Sequence, residues 1–343
     1  LKWIRALSLD LQQEKMKMNI ELQIFEKSAD KFDSIALEVF QWQAQFIPVY
    51  RKYLNLLGRN PAEVNSLDQI PFLPIEFFRN YSIIADGKSS AKIFRSSSTT
   101  GSIPASHHVA DLALYQKSYE TGFQLFYGNP KDYCILGLLP SYLERGDSSL
   151  VHMVDGLMKE SAHPSNGFFL DNMAELFTTL KELEERKQKT LLIGVTFGLL
   201  DFAEQYSIKL EHCTVMETGG MKGRRKEMTR LEVHQILQKA FGTRHIQSEY
   251  GMTELLSQAY SKQDGIFHCP PWMKVTSMDL TDPFSALSPG KTGSLNIIDL
   301  ANLNSCSFLA TSDLGKVQAD GSFEILGRVD RSMIRGCNLM AVD

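Results

Sequence analysis

Three clusters in the sequence carry side chains suited to holding phosphate, sugar and a divalent cation. The first is Ser96-Ser97-Ser98-Thr99-Thr100-Gly101, one residue after the apolar Ile93 and Phe94. A strand running into hydroxyls and a glycine can present side-chain and backbone donors to phosphate oxygens, the glycine allowing close approach. The same residues also suit a solvated turn. In the second, Ser248-Glu249-Tyr250-Gly251-Met252-Thr253-Glu254, an aromatic ring able to stack on a base lies beside a hydroxyl able to hold phosphate. A carboxylate able to bind Mg²⁺ through hard oxygens follows. Read locally, Thr253 and Glu254 serve equally well as helix caps. The third is Thr311-Ser312-Asp313-Leu314-Gly315, followed by Gly327-Arg328-Val329-Asp330. Asp313 at a strand end can accept two hydrogen bonds from a sugar diol, and Arg328 can reach the same sugar or a phosphate. A surface ion pair is the plainer reading of those two residues.

Positioning such clusters requires a framework, and the hydrophobic periodicity supplies an α/β one. Leu22, Phe25, Phe32, Ile35, Ala36, Val39 and Phe40 recur at helical spacing in an N-terminal segment that Pro48 interrupts. Pro71 and Pro74 make residues 65–78 an extended connection, leading to a strand near 91–95. Strands at 132–139, 190–197, 213–217 and 244–247 then alternate with helices at 172–187, 199–206 and 226–241. This alternation predicts a largely parallel sheet. After Pro270 the pattern changes to short strands at 273–278, 293–299 and 307–310, with a hairpin turned at Asp320-Gly321. The chain therefore divides into residues 1–264, a helical segment plus α/β core, and a β-rich subdomain over 265–343.

Composition narrows the function classes. The 343 residues carry a net charge of −4, without the positive field of a dedicated nucleic-acid binder. No apolar stretch reaches the ~20 residues of a transmembrane span. The N-terminal run is interrupted by Asp10, Gln12, Gln13 and Glu14 before any secretory core forms. The five cysteines are widely spaced with no Cys-x-x-Cys pair, which points to a reducing, cytoplasmic setting and argues against a disulfide framework.

Taken in order, the three clusters and the turn Gly290-Lys291-Thr292-Gly293-Ser294-Leu295 resemble the successive core motifs of the adenylate-forming superfamily, which includes acyl-CoA synthetases and firefly luciferase. Within it, Leu139-Pro140-Ser141-Tyr142-Leu143-Glu144-Arg145, Glu217-Thr218-Gly219-Gly220-Met221-Lys222-Gly223-Arg224, Pro270-Pro271-Trp272-Met273-Lys274-Val275 and Ile334-Arg335-Gly336-Cys337 resemble the LuxE-type acyl-protein synthetases. The resemblance implies ATP and Mg²⁺, with a carboxylic acid, by the narrower match a fatty acid, converted to an acyl-adenylate. The acyl group then passes to a thiol: Cys337, CoA, a carrier thiol, or an acceptor or reductase protein. It places Ser97, Ser98, Thr99, Thr100 and Gly101 on the phosphates, and Gly219 and Gly220 beside the adenine and acyl group. Tyr250 would stack on adenine, flanked by Glu249 and Gly251. Thr253 would contact the α-phosphate, Glu254 hold Mg²⁺, and Asp313 bind the ribose with Arg328 beside it.

Two departures from the superfamily pattern stand out. Ser102-Ile103-Pro104-Ala105-Ser106-His107-His108 replaces the usual Pro-Lys, so His107 or His108 becomes the stand-in for the loop lysine. The sequence stops at Asp343, just past the hinge motif, so the expected fold is the large N-terminal core without the mobile C-terminal domain. LuxE-type enzymes are likewise short. Cys337 would be the acyl acceptor, with Arg335 lowering its pKa toward the thiolate.

Three other readings compete. Gly146-Asp147-Ser148-Ser149-Leu150 resembles a GDSL-type serine hydrolase with Ser148 as nucleophile, but no Asp-x-x-His partner follows it. His212-Cys213 and His268-Cys269 could hold a metal if the fold brought them together. A nucleotide-binding partner without catalysis is the third.

Overall fold

The computed structural model describes residues 17–26, 31–97, 103–140, 145–219 and 228–328. Residues 17–24 are helical, and α1 (Phe32–Phe46) and α2 (Pro48–Leu56) follow. Pro48 divides these two helices because it lacks the N–H needed to continue α1, yet it fits the first turn of α2. The connection beyond holds β1 (Leu73–Pro74) and the single turn α3 (Phe77–Asn80). Next, β2 (Lys92–Arg95) and β3 (Ser106–Val109) form an antiparallel hairpin. Two bonds close the base of its loop: Ser96 N–H donates to the Ala105 carbonyl (3.0 Å), and Ala105 N–H to the Ser96 hydroxyl (2.9 Å).

The α/β core then runs α4 (Leu112–Tyr127), β4 (Cys134–Leu138), α5 (Ser149–Ser161), β5 (Gly167–Phe168) and α6 (Met173–Glu185). It continues through β6 (Thr190–Val195), α7 (Thr196–Gln205), β7 (Cys213–Thr218), α8 (Arg230–Phe241), β8 (Gln247–Tyr250) and β9 (Ala259–Ser261). The strand order is β5-β4-β6-β7-β8-β9, parallel except for the last pair. Every residue of β4 and β6 is buried, the reason both read as unbroken apolar runs rather than alternating ones.

The periodicity passed over α4 and α5, although each carries a cap that marks its start. Asp111 accepts from the N–H groups of Ala113 and Leu114, and Ser148 from that of Val151. Ser148 is thus a helix cap, and Asp147 pairs with Arg145 at 3.3 Å, so the hydrolase-like segment is a helix entry. β8 starts at Gln247 rather than 244, because α8 runs to Phe241 and Gly242 closes it in a left-handed turn, leaving four linking residues.

A second, mostly antiparallel sheet contains β10 (Ile266–Phe267), β11 (Met273–Met278), β12 (Thr292–Asp299), β13 (Phe308–Val317) and β14 (Phe323–Arg328). Its order is β10-β14-β13-β12-β11, with β1 parallel to the first part of β13. The hairpin between β13 and β14 turns at Asp320-Gly321, where Asp320 accepts from both the N–H and the hydroxyl of Ser322. β13 continues to Val317, so Asp313 lies inside a strand and not at its end. The N-terminal helices cover this sheet, Phe40 and Tyr50 packing against Phe308 with centroids 6.0 and 6.2 Å away.

Candidate functional site

The C-terminal ends of β7 and β8 lie side by side, the edge of a parallel sheet at which ligands bind in open α/β folds. Register sets the chemistry there. Glu217 is level with Ser248, and Thr218 with Glu249, so successive side chains pair on opposite faces. Ser248 donates to Glu217 Oε1 at 2.7 Å, and Thr218 donates to Glu249. Glu217 also accepts from the Thr196 hydroxyl at 3.0 Å, and has Arg230 Nε at 3.4 Å and His234 Nε2 at 3.7 Å. Burial by itself would raise its pKa; the bonds from His234 and Ser248 and the Arg230 charge together hold it below its ordinary value. Among the described residues Glu249 has no such cation. Burial and the neighbouring Glu217 charge push it up to about 7, against the Thr218 bond.

Arg230 joins this edge to the second sheet. It opens α8 behind the Thr229–Glu232 capping box, its Nη1 donates to the Ile325 carbonyl at 3.3 Å, and its guanidinium lies 5.0 Å from the Phe267 ring centroid.

Tyr250, at the end of β8, donates its hydroxyl to Asp313 Oδ2 at 2.7 Å, and Arg328 Nε donates to Asp313 Oδ1 at 3.0 Å. The buried carboxylate of Asp313 thereby holds one residue from each of two motifs far apart in sequence. The Arg328 side chain is 78% exposed, leaving the rest of its guanidinium open to a ligand. Phe267 and Phe323 meet the Tyr250 ring edge-on, at 5.9 and 5.5 Å. Burial, reinforced by the Asp313 charge, holds the Tyr250 phenol well above its ordinary pKa, so it stays a donor.

The backbone after β8 is fixed residue by residue. A Cβ on Gly251 would lie 2.4 Å from Glu249 Oε1, so no larger residue fits without displacing that carboxyl. His107 Nδ1 lies 2.8 Å from the Thr253 carbonyl, and since a carbonyl can only accept, Nδ1 carries the proton. Asn302 Nδ2 donates to the Glu254 carbonyl at 2.7 Å. Asp299 accepts from the N–H groups of Leu256 (2.8 Å) and Ser257 (3.0 Å) and from the Ser257 hydroxyl (2.5 Å). Glu254 is buried, and burial pushes its pKa up to about 7 against the pull of Arg328 and Arg79.

The donor set bears on Mg²⁺. Among the described residues no three His, Cys, Asp or Glu side chains converge, which excludes the His-Cys metal site there. A single carboxylate still fits Mg²⁺, which keeps its waters and takes the rest of its ligands from substrate phosphates.

The structure thus brings Glu249, Tyr250, Gly251, Thr253, Glu254, Asp313 and Arg328 around one sheet edge, with Gly219 at the end of neighbouring β7. Ser97 is exposed beyond β2. Ser98, Thr99, Thr100, Gly101, Gly220 and Cys337 lie outside the described residues. His107 does not replace a loop lysine: it is fully buried, and burial lowers its pKa to about 4, leaving it neutral. Phe197, Leu199, Leu255 and Leu256, apolar residues flanking the site in the sequence, are core residues. Sequence reasoning missed Arg230, Asp299 and Asn302; the available signal was a lone Asp closing the apolar run Leu295–Ile298.

No protein-family model and no curated protein sequence matches the chain. Solved structures do. An open conformation of 2-hydroxyisobutyryl-CoA ligase in complex with 2-HIB-AMP and CoA covers 90% of this chain and 72% of its own, with TM-score 0.67 and 15% identity. ATP-bound MatB from Rhodopseudomonas palustris covers 69% of this chain with TM-score 0.52 and 17% identity. The fold is that of the adenylate-forming enzymes. The part matched is the N-terminal region of the adenylate-forming fold, and the chain spans 47% of the MatB structure. No described helix is long and apolar enough to cross a membrane.

Proposed function

We propose that this chain uses ATP to activate a carboxylic acid as an acyl-adenylate and passes the acyl group to a thiol. The observation that carries this reading is Asp313, which gathers Tyr250 and Arg328 into one hydrogen-bonded group beside the Thr253–Glu254 loop. Such a group can dock a nucleoside: the ring of Tyr250 against the base, the Asp313 carboxylate toward the ribose hydroxyls, and the exposed guanidinium of Arg328 toward sugar or phosphate. Thr253 then offers its hydroxyl to the α-phosphate, while Ser97 to Gly101 cradle the β- and γ-phosphates. Glu254 would hold Mg²⁺, whose charge offsets that of the phosphate oxygens.

In the first step a carboxylate oxygen of the acid attacks the α-phosphorus, and the bond to the bridging oxygen of pyrophosphate breaks. Positioning and electrostatics supply the catalysis, since the protein donates no atom to the product. In the second step a thiolate attacks the acyl carbon and AMP leaves. The LuxE-type resemblance makes the acid a fatty acid and Cys337 the acceptor. CoA is the second reading for the acceptor, favoured by the matched ligase captured with CoA.

Hydroxylamine trapping tests the proposal, because acyl-adenylates are captured as hydroxamates. Incubated with ATP, Mg²⁺ and a panel of short, long-chain and aryl acids, the chain is expected to yield a hydroxamate and an equal amount of AMP. Formation of ADP, or no hydroxamate from any acid, would overturn it.

A further inference from the structure

The hairpin that presents Ser97 and the loop that presents Thr253 and Glu254 are about 150 residues apart in sequence, yet one imidazole joins them. His107 belongs to β3, the returning strand of the hairpin, level with Phe94 of β2 and two residues past the Ser96–Ala105 pair that closes the loop base. Its Nδ1–H reaches across to the Thr253 carbonyl at 2.8 Å. The ring has no freedom to turn away: it is fully buried, and the Phe78 ring of α3 meets it edge-on at 5.5 Å. Its other nitrogen, Nε2, is buried and has no hydrogen-bond partner among the described residues. That unpaired atom has a cost, which an apolar residue filling the same space would avoid. The bond at Nδ1 is the return for it.

We propose that His107 is a positioning residue that couples the β2–β3 hairpin to the Thr253–Glu254 loop, fixing Ser97, just beyond β2, relative to that loop. Its catalytic consequence rests on the adenylating reading above; the mechanical coupling does not. Asn302 and Asp299 hold the far side of the same loop from the second sheet, at the Glu254 carbonyl and at the Leu256 and Ser257 amides. His107 holds it from the hairpin. Freed on that side, Thr253 and Glu254 stay attached to the second sheet and lose their registration with Ser97.

Two variants separate the bond from the space. His107→Leu fills the pocket and removes the donor. His107→Asn places an amide N–H near the position of Nδ1 and deletes the unpaired Nε2. The readout is amide hydrogen exchange. In His107→Leu, exchange is expected to accelerate about tenfold, the factor one hydrogen bond commands, in residues 251–257 and in β2 and β3. Exchange in α6, remote from the contact, is expected to stay unchanged, and His107→Asn to resemble wild type. Unchanged exchange in residues 251–257 of His107→Leu would overturn the proposal, as would equal effects from Leu and Asn. If His107→Leu fails to fold, Asn and Gln decide: Gln carries its amide one carbon too far, and equivalence of the two would overturn the coupling.

The same proteins assayed for pyrophosphate exchange distinguish the two ideas. Coupling with adenylation predicts a lower kcat for His107→Leu, an unchanged KM for the acid, and recovery in His107→Asn. An inactive wild type with the hydrogen-exchange pattern intact would sink the adenylating reading and leave the coupling standing.

Discussion

Asp313 and Arg328 face each other across β13 and β14, Nε to Oδ1 at 3.0 Å, and the free oxygen of the same carboxylate takes the Tyr250 hydroxyl at 2.7 Å. Both carboxylate oxygens are thus engaged by residues that would also touch the nucleotide. Asp313→Ala leaves Arg328 unanchored and the phenol of Tyr250 without an acceptor. The expected outcome is a KM for ATP raised about 10- to 100-fold, the range for hydrogen bonds to a charged group, with a smaller effect on kcat. Tyr250→Phe keeps the ring and is expected to cost less than tenfold. Steady-state titration with ATP checks both, and an unchanged KM in Asp313→Ala would remove Asp313 from the nucleotide site.

Gly251→Ala places a methyl group 2.4 Å from Glu249 Oε1. Overpacking of this kind destabilises by about 1–3 kcal/mol. Thermal unfolding should show the loss, and in a Glu249→Ala background, which removes the obstructing carboxyl, the same substitution should cost much less.

The buried ionisable groups predict opposing pH dependences. Glu254 rises from 4.5 to about 7 in the folded chain, so between those values the folded state binds more protons than the unfolded one. Its contribution to stability is present below pH 4.5 and lost as pH rises to 7. His107 falls from 6.5 to about 4, so its neutral burial favours folding above pH 6.5 and ceases to do so as pH drops to 4. Glu254→Gln is therefore expected to gain thermal stability relative to wild type as pH rises from 5 to 8, measured by melting at several pH values. Because Mg²⁺ takes the ionised carboxylate, its apparent affinity in the presence of ATP is expected to tighten with pH up to about 7, and this dependence should be shallower in Glu254→Gln, where only the terminal phosphate of ATP, with its own ionisation at about 6, still titrates.

Cys337→Ser tests the acceptor. Transfer through Cys337 predicts full pyrophosphate exchange and loss of acyl label bound to the protein. Retention of the label would move the acceptor elsewhere, and label appearing only on added CoA would favour the second reading.

The grouping of the candidate site was legible because Tyr250, Thr253, Glu254, Asp313 and Arg328 each lie in a short motif whose residue types suggest a chemistry, and the structure brings them together. The parallel sheet was legible from buried apolar runs such as β4 and β6. What the sequence hid depends on contacts between distant segments. His107 offered itself as a cation, and only its complete burial against Phe78 and Thr253 makes it a neutral donor. Asp299 and Asn302 acquire a role only when β12 and the residues after it come to lie behind the Thr253–Glu254 loop. Glu217 needed the register of β7 on β8 to reveal its partner Ser248. α4 and α5 escaped because their periodicity is interrupted by small and polar residues such as Ser118, Gly122 and Ser149, which are nonetheless buried.

Acid-dependent exchange of labelled pyrophosphate into ATP, wild type against Glu254→Ala, tests the central claim most directly, because exchange requires the adenylating step to run in both directions. The account predicts exchange that depends on a carboxylic acid and on Mg²⁺, and that falls by at least about a hundredfold in Glu254→Ala. Absence of exchange with every acid, or exchange undiminished in Glu254→Ala, would contradict it.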